Sequence, residues 1–263
     1  MKNILDYTRE NLSLWFENKG MRPFRADQIF KWLYIRQADS FDEMTDLSKE
    51  RRKELASFFY IPRLEIEDKM VSVDATEKFL FKLDDGLYIE SVLIPVKDHY
   101  TLCVSSQVGC AQACRFCLTA RNGLTRNLKV SEIVSQIRDI RWYLMSKDID
   151  PLKLSNIVFM GMGEPFANYQ NVVDAIKIIA DSDSGFKISP RHITVSTSGL
   201  IPEMDRFGLD TTVNLALSLN ATTDEVRTRL MPINRKYPLK QLLEACRRFT
   251  MKPRNKITFE YIL

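Results

Sequence analysis

Several classes of protein are excluded by what this sequence lacks. It contains no apolar run of the length that a membrane-spanning helix needs. The first 15 residues mix acids with bases, whereas a signal peptide has a basic start followed by an apolar stretch. The sequence also has no internal repeat and no low-complexity segment. We therefore expect a globular protein of the cytoplasm that has no membrane partner.

Cysteine is scarce, and its distribution argues against a disulfide framework. The chain has five cysteines, and three of them lie in the eight residues from Cys110 to Cys117. In a reducing compartment such clustering indicates a metal centre or redox chemistry rather than structural disulfides.

Acidic residues are nearly absent from two segments. The net charge of +4 is mild and does not by itself identify a nucleic-acid partner. Residues 227–256 contain ten Lys or Arg and the single acid Glu244. Residues 99–131 contain no acid, and their bases are Arg115, Arg121, Arg126 and Lys129. Either segment alone is equally well explained as a solvated face, but two of them, one beside the cysteines, favour a polyanionic substrate.

Hydrophobic spacing divides the chain into three predicted domains. Residues 1–60 have helical spacing and predict a small helical domain. Alternation over residues 61–98, with a turn at residues 84–86, predicts a short antiparallel β extension. In residues 99–263 five predicted strands alternate with four helical connections, which predicts an α/β fold with a parallel sheet or barrel. Because the last strand would leave an open edge, we expect this fold to be truncated or completed by another element.

The strongest chemical signal is a CxxxCxxC motif in the loop after a predicted strand. Its cysteines are Cys110, Cys114 and Cys117. Three thiolates at this spacing can ligate three irons of a 4Fe-4S cluster. The fourth iron is then free to chelate the amino and carboxylate groups of S-adenosylmethionine (SAM) and to pass an electron to its sulfonium, which yields a deoxyadenosyl radical.

Two other interpretations of the motif are a structural zinc site and three unrelated thiols. Zinc needs a fourth ligand, and the His and Cys candidates are His99, His192, Cys103 and Cys246. The spacing of the motif, its position after a strand and the motifs that follow it favour the cluster.

Small polar residues end the strands that follow the cysteines. The segment GMGEP, residues 161–165, ends one strand, and its glycines allow a ligand to approach the backbone closely. Taken alone it is more often only a turn. Ser196 and Ser218 end the next two strands, where each is suited either to hydrogen-bond SAM or to cap the following helix.

These motifs together resemble the RlmN and Cfr family of radical SAM RNA methyltransferases, and above all its RlmN branch. The segments that carry the resemblance are TLCVSSQVGCAQACRFCLTA, GMGEP, STSG, SLNATTDEVR, MPINRKYPL and, in the helical region, PFRADQIFKWLY. The resemblance implies a partial (βα)6 barrel, incomplete here after the fifth strand, and a helical domain that helps to bind RNA. It also implies a 4Fe-4S cluster and SAM as cofactors. The implied reaction methylates carbon 2 of adenine in large-subunit ribosomal RNA and in tRNA through a methylated cysteine.

The resemblance also implies roles for individual residues. Cys103 matches the thiol that releases the product by forming a disulfide with the methyl-carrying cysteine, and Glu90 matches the proton acceptor. The positions that match SAM contacts are Gly163, Glu164, Ser196, Ser218, Leu219 and Asn220. By residue type alone, Cys103 would be a small core residue and Glu90 a surface carboxylate at a strand end.

The sequence departs from the family pattern at two places. Asn220 stands where many relatives have histidine, so it can donate a hydrogen bond to SAM but cannot titrate. The family also continues past the fifth strand to a tail with the methyl-accepting cysteine, and Cys246, in a predicted helix, does not replace it. We therefore expect the 263-residue chain not to transfer a methyl group.

Two alternatives to the implied function stay open at this point. One is a catalytically incomplete fragment that binds RNA and SAM, and the other is a carbon-8 adenine methyltransferase of the Cfr type. For the implied enzyme we expect a monomer whose partners are ribosomal RNA, tRNA and an electron donor such as flavodoxin.

Overall fold

The computed structural model describes residues 1–250 and 255–262. Within these residues no helix has both the length and the apolar character needed to cross a bilayer. The α-helices are α1 (Arg9–Asn18), α2 (Arg25–Phe30), α3 (Lys49–Phe58), α4 (Val130–Met145), α5 (Tyr169–Ala180), α6 (Ile201–Asp210), α7 (Asp224–Leu230) and α8 (Leu239–Arg248). The strands are β1 (Lys2–Asn3), β2 (Phe59–Tyr60), β3 (Glu65–Val71), β4 (Glu77–Lys82), β5 (Tyr88–Val96), β6 (His99–Cys103), β7 (Gln107–Gly109), β8 (Leu124–Asn127), β9 (Leu154–Phe159), β10 (Ile193–Thr197), β11 (Asn214–Ser218) and β12 (Ile257–Glu260).

Helices α1 to α3 lie within the residues that were predicted to be helical. The side chain of Thr8 accepts a hydrogen bond from the Asn11 amide and begins α1, and Ser48 begins α3 in the same way. Leu12 and Phe16 of α1 are fully buried and join the common hydrophobic core. The division of the chain into three domains stays a prediction.

One mixed sheet runs through the rest of the chain. Its strand order is β12-β11-β10-β9-β6-β5-β4-β3. Strands β3 to β6 are antiparallel, whereas β6, β9, β10, β11 and β12 are parallel, which agrees with the predicted five strands. The antiparallel extension therefore continues the α/β sheet and is not a separate layer.

The two faces of the parallel strands differ in character. Apolar side chains that alternate along β9, β10 and β11 are buried in the core with apolar residues of α4 and α5. The residues between them are mostly polar or half-buried and lie on the opposite face. They include Asn156 and Val158 in β9, Thr194 and Ser196 in β10, and Asn214 and Ser218 in β11. This polar face leads to the carboxyl ends of the strands, where ligands of parallel α/β folds bind.

A buried ionic network fixes the helical region to α4. The guanidinium of Arg138 is fully buried and donates to the carbonyl oxygens of Leu33, Pro62 and Ala38. It also lies 3.0 Å from the carboxylate of Asp39. The neighbouring carboxylate of Asp139 accepts from Arg63 and from the Leu64 amide, both at 2.8 Å. Every charge at this junction therefore has a partner within the protein.

Candidate active site

A cavity of about 210 Å³ lies at the carboxyl ends of the parallel strands. Its walls come from the loop after β7, the loop after β9 and the ends of β10, β11 and β12. The lining residues used below are Cys110, Cys114, Cys117, Gly161, Gly163, Glu164, Ser196, Ser198, Ser218, Met231 and Glu260. Of the predicted site residues, the three motif cysteines, Gly163, Glu164, Ser196 and Ser218 are thus brought together, although they span more than 100 positions in the sequence.

Two main-chain hydrogen bonds hold the loop that carries the cysteines against neighbouring segments. The Cys110 amide donates to the Gly123 carbonyl oxygen at 2.9 Å, and the Arg115 amide donates to the Leu230 carbonyl oxygen, also at 2.9 Å. Gly109, which precedes the motif, has φ +77°, and a Cβ there would lie 2.0 Å from the Gly123 oxygen. Glycine has no side chain and tolerates this φ, so Gly109 lets the chain turn sharply into the cysteine loop.

The donors at this cavity suit a cluster better than a structural zinc site. All three thiols line one cavity, but no group of three or more His, Cys, Asp or Glu side chains in the described residues converges as ligands of one ion would. The candidate fourth zinc ligands, His99, His192, Cys103 and Cys246, do not line the cavity either. Three separate thiols match the donor set for three irons of a 4Fe-4S cluster.

Burial and mutual repulsion disfavour free thiolates at this site. Burial raises the pKa of Cys114 to about 12, and the neighbouring Cys110 and Cys117 add to this rise. Burial likewise raises the pKa of Cys110. Iron binding must therefore displace protons, as is general for thiolate ligands.

The glycines of the GMGEP loop permit close contact between neighbouring strand ends. A Cβ on Gly163, whose φ is +103°, would lie 2.5 Å from the Gln107 Cβ, and a Cβ on Gly161 would lie 2.7 Å from the Ser105 Oγ. Ser105 Oγ accepts a hydrogen bond from the Met162 amide at 2.8 Å. This loop is therefore more than an ordinary turn, because side chains at either glycine would separate it from the strand beneath.

Glu164 organises the neighbouring STSG loop. Its carboxylate is almost fully buried and accepts from the amide and hydroxyl of Ser198 at 2.8 and 2.7 Å. It also accepts from the Thr197 hydroxyl at 2.9 Å and the Phe166 amide at 3.0 Å. Burial raises the pKa of Glu164, and these hydrogen bonds oppose the rise. With four donors on its carboxylate, Glu164 holds two walls of the cavity together.

A carboxylate that the sequence analysis missed connects β10, β11 and β12. Glu260 Oε2 accepts from Ser196 Oγ at 2.8 Å and from Ser218 Oγ at 2.7 Å. The amides of Leu219 and Asn220 donate to the Glu260 carbonyl oxygen at 3.0 and 3.2 Å. Neither Leu219 nor Asn220 lines the cavity. Neither serine caps a helix, and the even spacing of Thr258 and Glu260 along β12 is the sequence signal that could have placed Glu260 on the polar face.

Arg227 does not belong to an exposed basic surface, which both interpretations of residues 227–256, a solvated face and a contact with a polyanion, had required. Its guanidinium is fully buried and donates to the carbonyl oxygens of Ser198, Ser218 and Leu219 and to Asn234 Oδ1. Burial lowers the pKa of Arg227, while the nearby Cys114 thiol opposes this. Arg227 thus lies behind the cavity lining and holds Ser198 and Ser218, which do line the cavity.

The remaining bases of the two basic segments differ in their surroundings. Arg126 pairs with Asp85 and Glu132, and Arg248 pairs with Asp205. Lys252 and Arg254 lie outside the described residues. Within the described residues of these two segments, the bases that are exposed and make no ion pair are Arg115, Arg121, Lys129, Arg229, Arg235, Lys236, Lys240, Arg247 and Lys256.

Glu90 and Cys103 lie on the polar face but outside the cavity lining. Glu90 is not at a strand end, as the sequence suggested, but inside β5, where its carboxylate contacts Lys78 Nζ at 2.8 Å. The register pairs Val92 with Cys103, so Glu90, two residues earlier, is on the same face as Cys103. Burial raises the pKa of Cys103 to about 11, and the charge of Glu260 contributes. All five cysteines are free, and Cys246 is half-buried on α8, away from the cavity lining.

Two family models match the chain. The model described as "Ribosomal RNA large subunit methyltransferase N-terminal domain" matches residues 2–61. The model described as "Radical SAM superfamily" matches residues 104–262, which include the three cysteines and every residue of the cavity named above.

Individual relatives agree with these models. The chain is 52% identical to the dual-specificity RNA methyltransferase RlmN of Desulfosudis oleivorans, over 100% of this chain and 70% of that protein. It is 55% identical to the RlmN of Geobacter sulfurreducens, over 100% of this chain and 71% of that protein. The crystal structure of a radical SAM methyltransferase from Sphaerobacter thermophilus superposes with a TM-score of 0.89 at 40% identity, covering 100% of this chain and 76% of that one.

Proposed function

The chain belongs to the radical SAM superfamily and, within it, to the RlmN family, and on that premise we propose that the enzyme to which these residues belong methylates carbon 2 of adenine in large-subunit ribosomal RNA and in tRNA. That residues 1–263 alone transfer no methyl group stays a prediction. The observation that carries the proposal is the single cavity shared by the three motif cysteines and by the GMGEP, STSG and SLN segments. These segments come from separate βα units, and folding alone brings them together.

The cofactors of this family are a 4Fe-4S cluster and SAM. In this chain Cys110, Cys114 and Cys117 would hold the cluster, which supplies the electron that cleaves SAM. Glu164 keeps the GMGEP and STSG loops at a fixed separation through its four hydrogen bonds. Arg227 keeps the ends of β10 and β11 together and places a buried positive charge beside the cysteine loop.

Glu90 and Cys103 complete the proposed chemistry on the polar face. In the family's reaction Glu90 accepts a proton from the methylated base, and Cys103 forms a disulfide with the methyl-carrying cysteine to release the product. Their common face supports this assignment, since both must face the base. The Glu90 carboxylate contacts Lys78 Nζ at 2.8 Å, which holds it in place on this face.

We assign RNA recognition to the helical region and to exposed bases around the cysteine loop. The family model for the helical region supports the first assignment. Arg115 and Phe116 are both exposed within the motif, between Cys114 and Cys117, and an arginine next to an aromatic ring suits phosphate contact and base stacking. A cytoplasmic monomer that receives electrons from a flavodoxin-like donor fits this scheme.

Deletion of the gene tests the proposal directly. Ribosomal RNA and tRNA from the deletion strain should lack 2-methyladenosine in mass analysis of their nucleosides, and the wild-type gene should restore it. A gene that encodes Cys114→Ala should not, whereas one that encodes the matched Cys246→Ala should.

Other outcomes of this experiment would contradict the proposal. Loss of 8-methyladenosine would assign the chain to carbon 8, as in the Cfr type. Unchanged adenosines in the deletion strain would leave only a protein that binds RNA and SAM without methylating RNA.

A further inference from the structure

Glu260 accepts hydrogen bonds from every residue of β10, β11 and the SLN segment that the resemblance assigns to SAM. Its carboxylate accepts from the hydroxyls of Ser196 and Ser218, and its carbonyl oxygen accepts from the amides of Leu219 and Asn220. Neither the motifs nor the family resemblance had singled out Glu260. Its position therefore calls for a role of its own.

The carboxylate of Glu260 retains unused acceptor capacity. Both serine hydroxyls donate to Oε2, and Oε1 makes no hydrogen bond to any described residue. No Lys, Arg or His in residues 1–250 and 255–262 forms an ion pair with Glu260, and its side chain lines the cavity. A half-buried carboxylate without a cation is stabilised by further donors, and a ligand in this cavity can supply them.

SAM offers three kinds of donor: its ribose hydroxyls, its α-amino group and the amino group of its adenine. The free backbone groups of the GMGEP loop, which follows β9, suit the amino-acid end of SAM. Glu260 is on β12, three strand spacings from β9, or about 14 Å at about 4.8 Å each. Acidic side chains at strand ends of nucleotide-binding α/β folds commonly bind ribose hydroxyls. Position and chemistry thus both favour the ribose.

We propose that Glu260 Oε1 accepts a hydrogen bond from a ribose hydroxyl of SAM, while Ser196 and Ser218 hold the carboxylate in place. The inference rests on the proposed function, because it requires SAM in this cavity. It also changes the role of the two serines, which would act on SAM through Glu260 and would be positioning residues. The carboxylate would be the group that recognises the nucleoside part.

The test compares SAM with its 2′-deoxy and 3′-deoxy analogues. Binding is measured by anaerobic equilibrium dialysis to the cluster-loaded protein, so the readout is affinity and not turnover. A charge-assisted hydrogen bond predicts that at least one analogue binds the wild-type protein about 10- to 100-fold more weakly than SAM. In Glu260→Ala this preference should disappear, because SAM and the analogue then bind equally weakly.

Two further variants and the iron content separate specific effects from damage to the fold. Glu260→Gln keeps an uncharged acceptor and should retain a preference of only a few fold. Glu244→Gln removes a charge from an exposed position of α8 and should bind as the wild type does. Each protein must contain the iron of the wild type, which shows that its cysteine loop is intact.

Three results would overturn the inference. If the wild type binds both deoxy analogues as tightly as SAM, no ribose hydroxyl contacts the carboxylate, and this arm needs no variant to fold. If Glu260→Ala weakens SAM and both analogues by one common factor, Glu260 has only a structural role. If iron-loaded wild-type protein binds no SAM at all, the proposed function fails, and this inference fails with it.

Discussion

Two fully buried arginines show how differently this chain treats charge at a structural junction and at a candidate active site. Both Arg138 and Arg227 are 0% exposed, and each donates to three main-chain carbonyl oxygens. Arg138 is also surrounded by the carboxylates of Asp39 and Asp139. Arg227 has no carboxylate within ion-pair distance in the described residues, and the thiol of Cys114 is nearby.

The presence of carboxylate partners at Arg138 and their absence at Arg227 indicate different roles for the two charges. At the junction the protein neutralises its own charge, so the helical region and α4 form a closed network. Next to the cavity, carbonyl oxygens hold the positive charge of Arg227 in place without neutralising it, so it can attract an anionic group. A 4Fe-4S cluster with thiolate ligands is such a group. The predictions that follow test this distinction, beginning with the largest expected effect.

Removal of the junction arginine should have the largest effect on stability. Arg138→Met removes one of the two arginines that pair with Asp39 and Asp139 and takes this donor from three carbonyl oxygens, so we expect a loss of about 3–5 kcal/mol in the free energy of unfolding. Urea denaturation measures this. Arg206→Met is the control, since Arg206 is exposed and its pair with Asp210 is 3.9 Å long, and it should cost less than about 0.5 kcal/mol. Equal losses in the two variants would contradict the account of the junction.

Removal of the cavity arginine should affect both the fold and the cofactor. Arg227→Met leaves buried carbonyl oxygens unsatisfied, which costs about 1–3 kcal/mol. Because a positive charge near the cluster stabilises its reduced form, the reduction potential should also fall by some tens of millivolts. Arg138→Met should leave the potential unchanged. If both variants and the wild type have the same reduction potential, the charge of Arg227 does not act on the cluster, and the proposed difference between the two arginines is wrong.

A methyl group at Gly163 should have a comparable but purely local effect. Gly163→Ala places a Cβ 2.5 Å from Gln107 at φ +103°, so we expect a loss of about 1–3 kcal/mol and weaker SAM binding. Gly20→Ala is the matched control, because Gly20 lies in the turn that ends α1 with φ +69° and no atom lies within 4 Å of the added Cβ. It should cost about 1 kcal/mol. If the control were as damaging as Gly163→Ala, backbone strain and not contact would explain the glycine.

The smallest effect concerns the ionisation of Cys103. With a pKa of about 11 its thiol should still react about tenfold faster with iodoacetamide per pH unit between pH 8.5 and 10, where an ordinary cysteine levels off. Since the pKa is raised on folding, this thiol favours the native state at neutral pH, and the contribution is lost as the pH rises towards 11. Mass analysis of the peptide identifies the site. Glu260→Gln should lower the pKa; a rate that levels off near pH 8.5 in the wild type would contradict the burial of this thiol.

The sequence predicted the elements of the fold well because their signals are local. Helical spacing, alternation and the strand-ending glycines placed the helices of the first 60 residues, the antiparallel strands and the five parallel strands. The cysteine spacing likewise predicted that Cys110, Cys114 and Cys117 lie together at one site. The predicted turn at residues 84–86 also agrees with the structure.

The residues that the sequence analysis placed wrongly or missed depend on contacts between distant parts of the chain, which the spacing of residues along the sequence does not encode. In the sequence Arg227 is one of ten bases in residues 227–256 and has no distinguishing feature, because only the fold brings the carbonyl groups after β10 and at the end of β11 around it. Glu260 is 42 residues from Ser218 and 64 from Ser196, and their hydrogen bonds depend on the strand order. Glu90 appeared to end a strand because Asp84 to Gly86 breaks the pattern just before it, whereas β5 continues through Val96.

The iron content of the anaerobically reconstituted chain tests the central claim most directly. A cluster held by Cys110, Cys114 and Cys117 predicts about four irons per chain, with matching sulfide and a brown colour. Cys114→Ala should lose most of this iron, and Cys246→Ala, which removes a thiol away from the cavity lining, should retain it. Full iron content and colour in Cys114→Ala would contradict the assignment of the cavity as a radical SAM site.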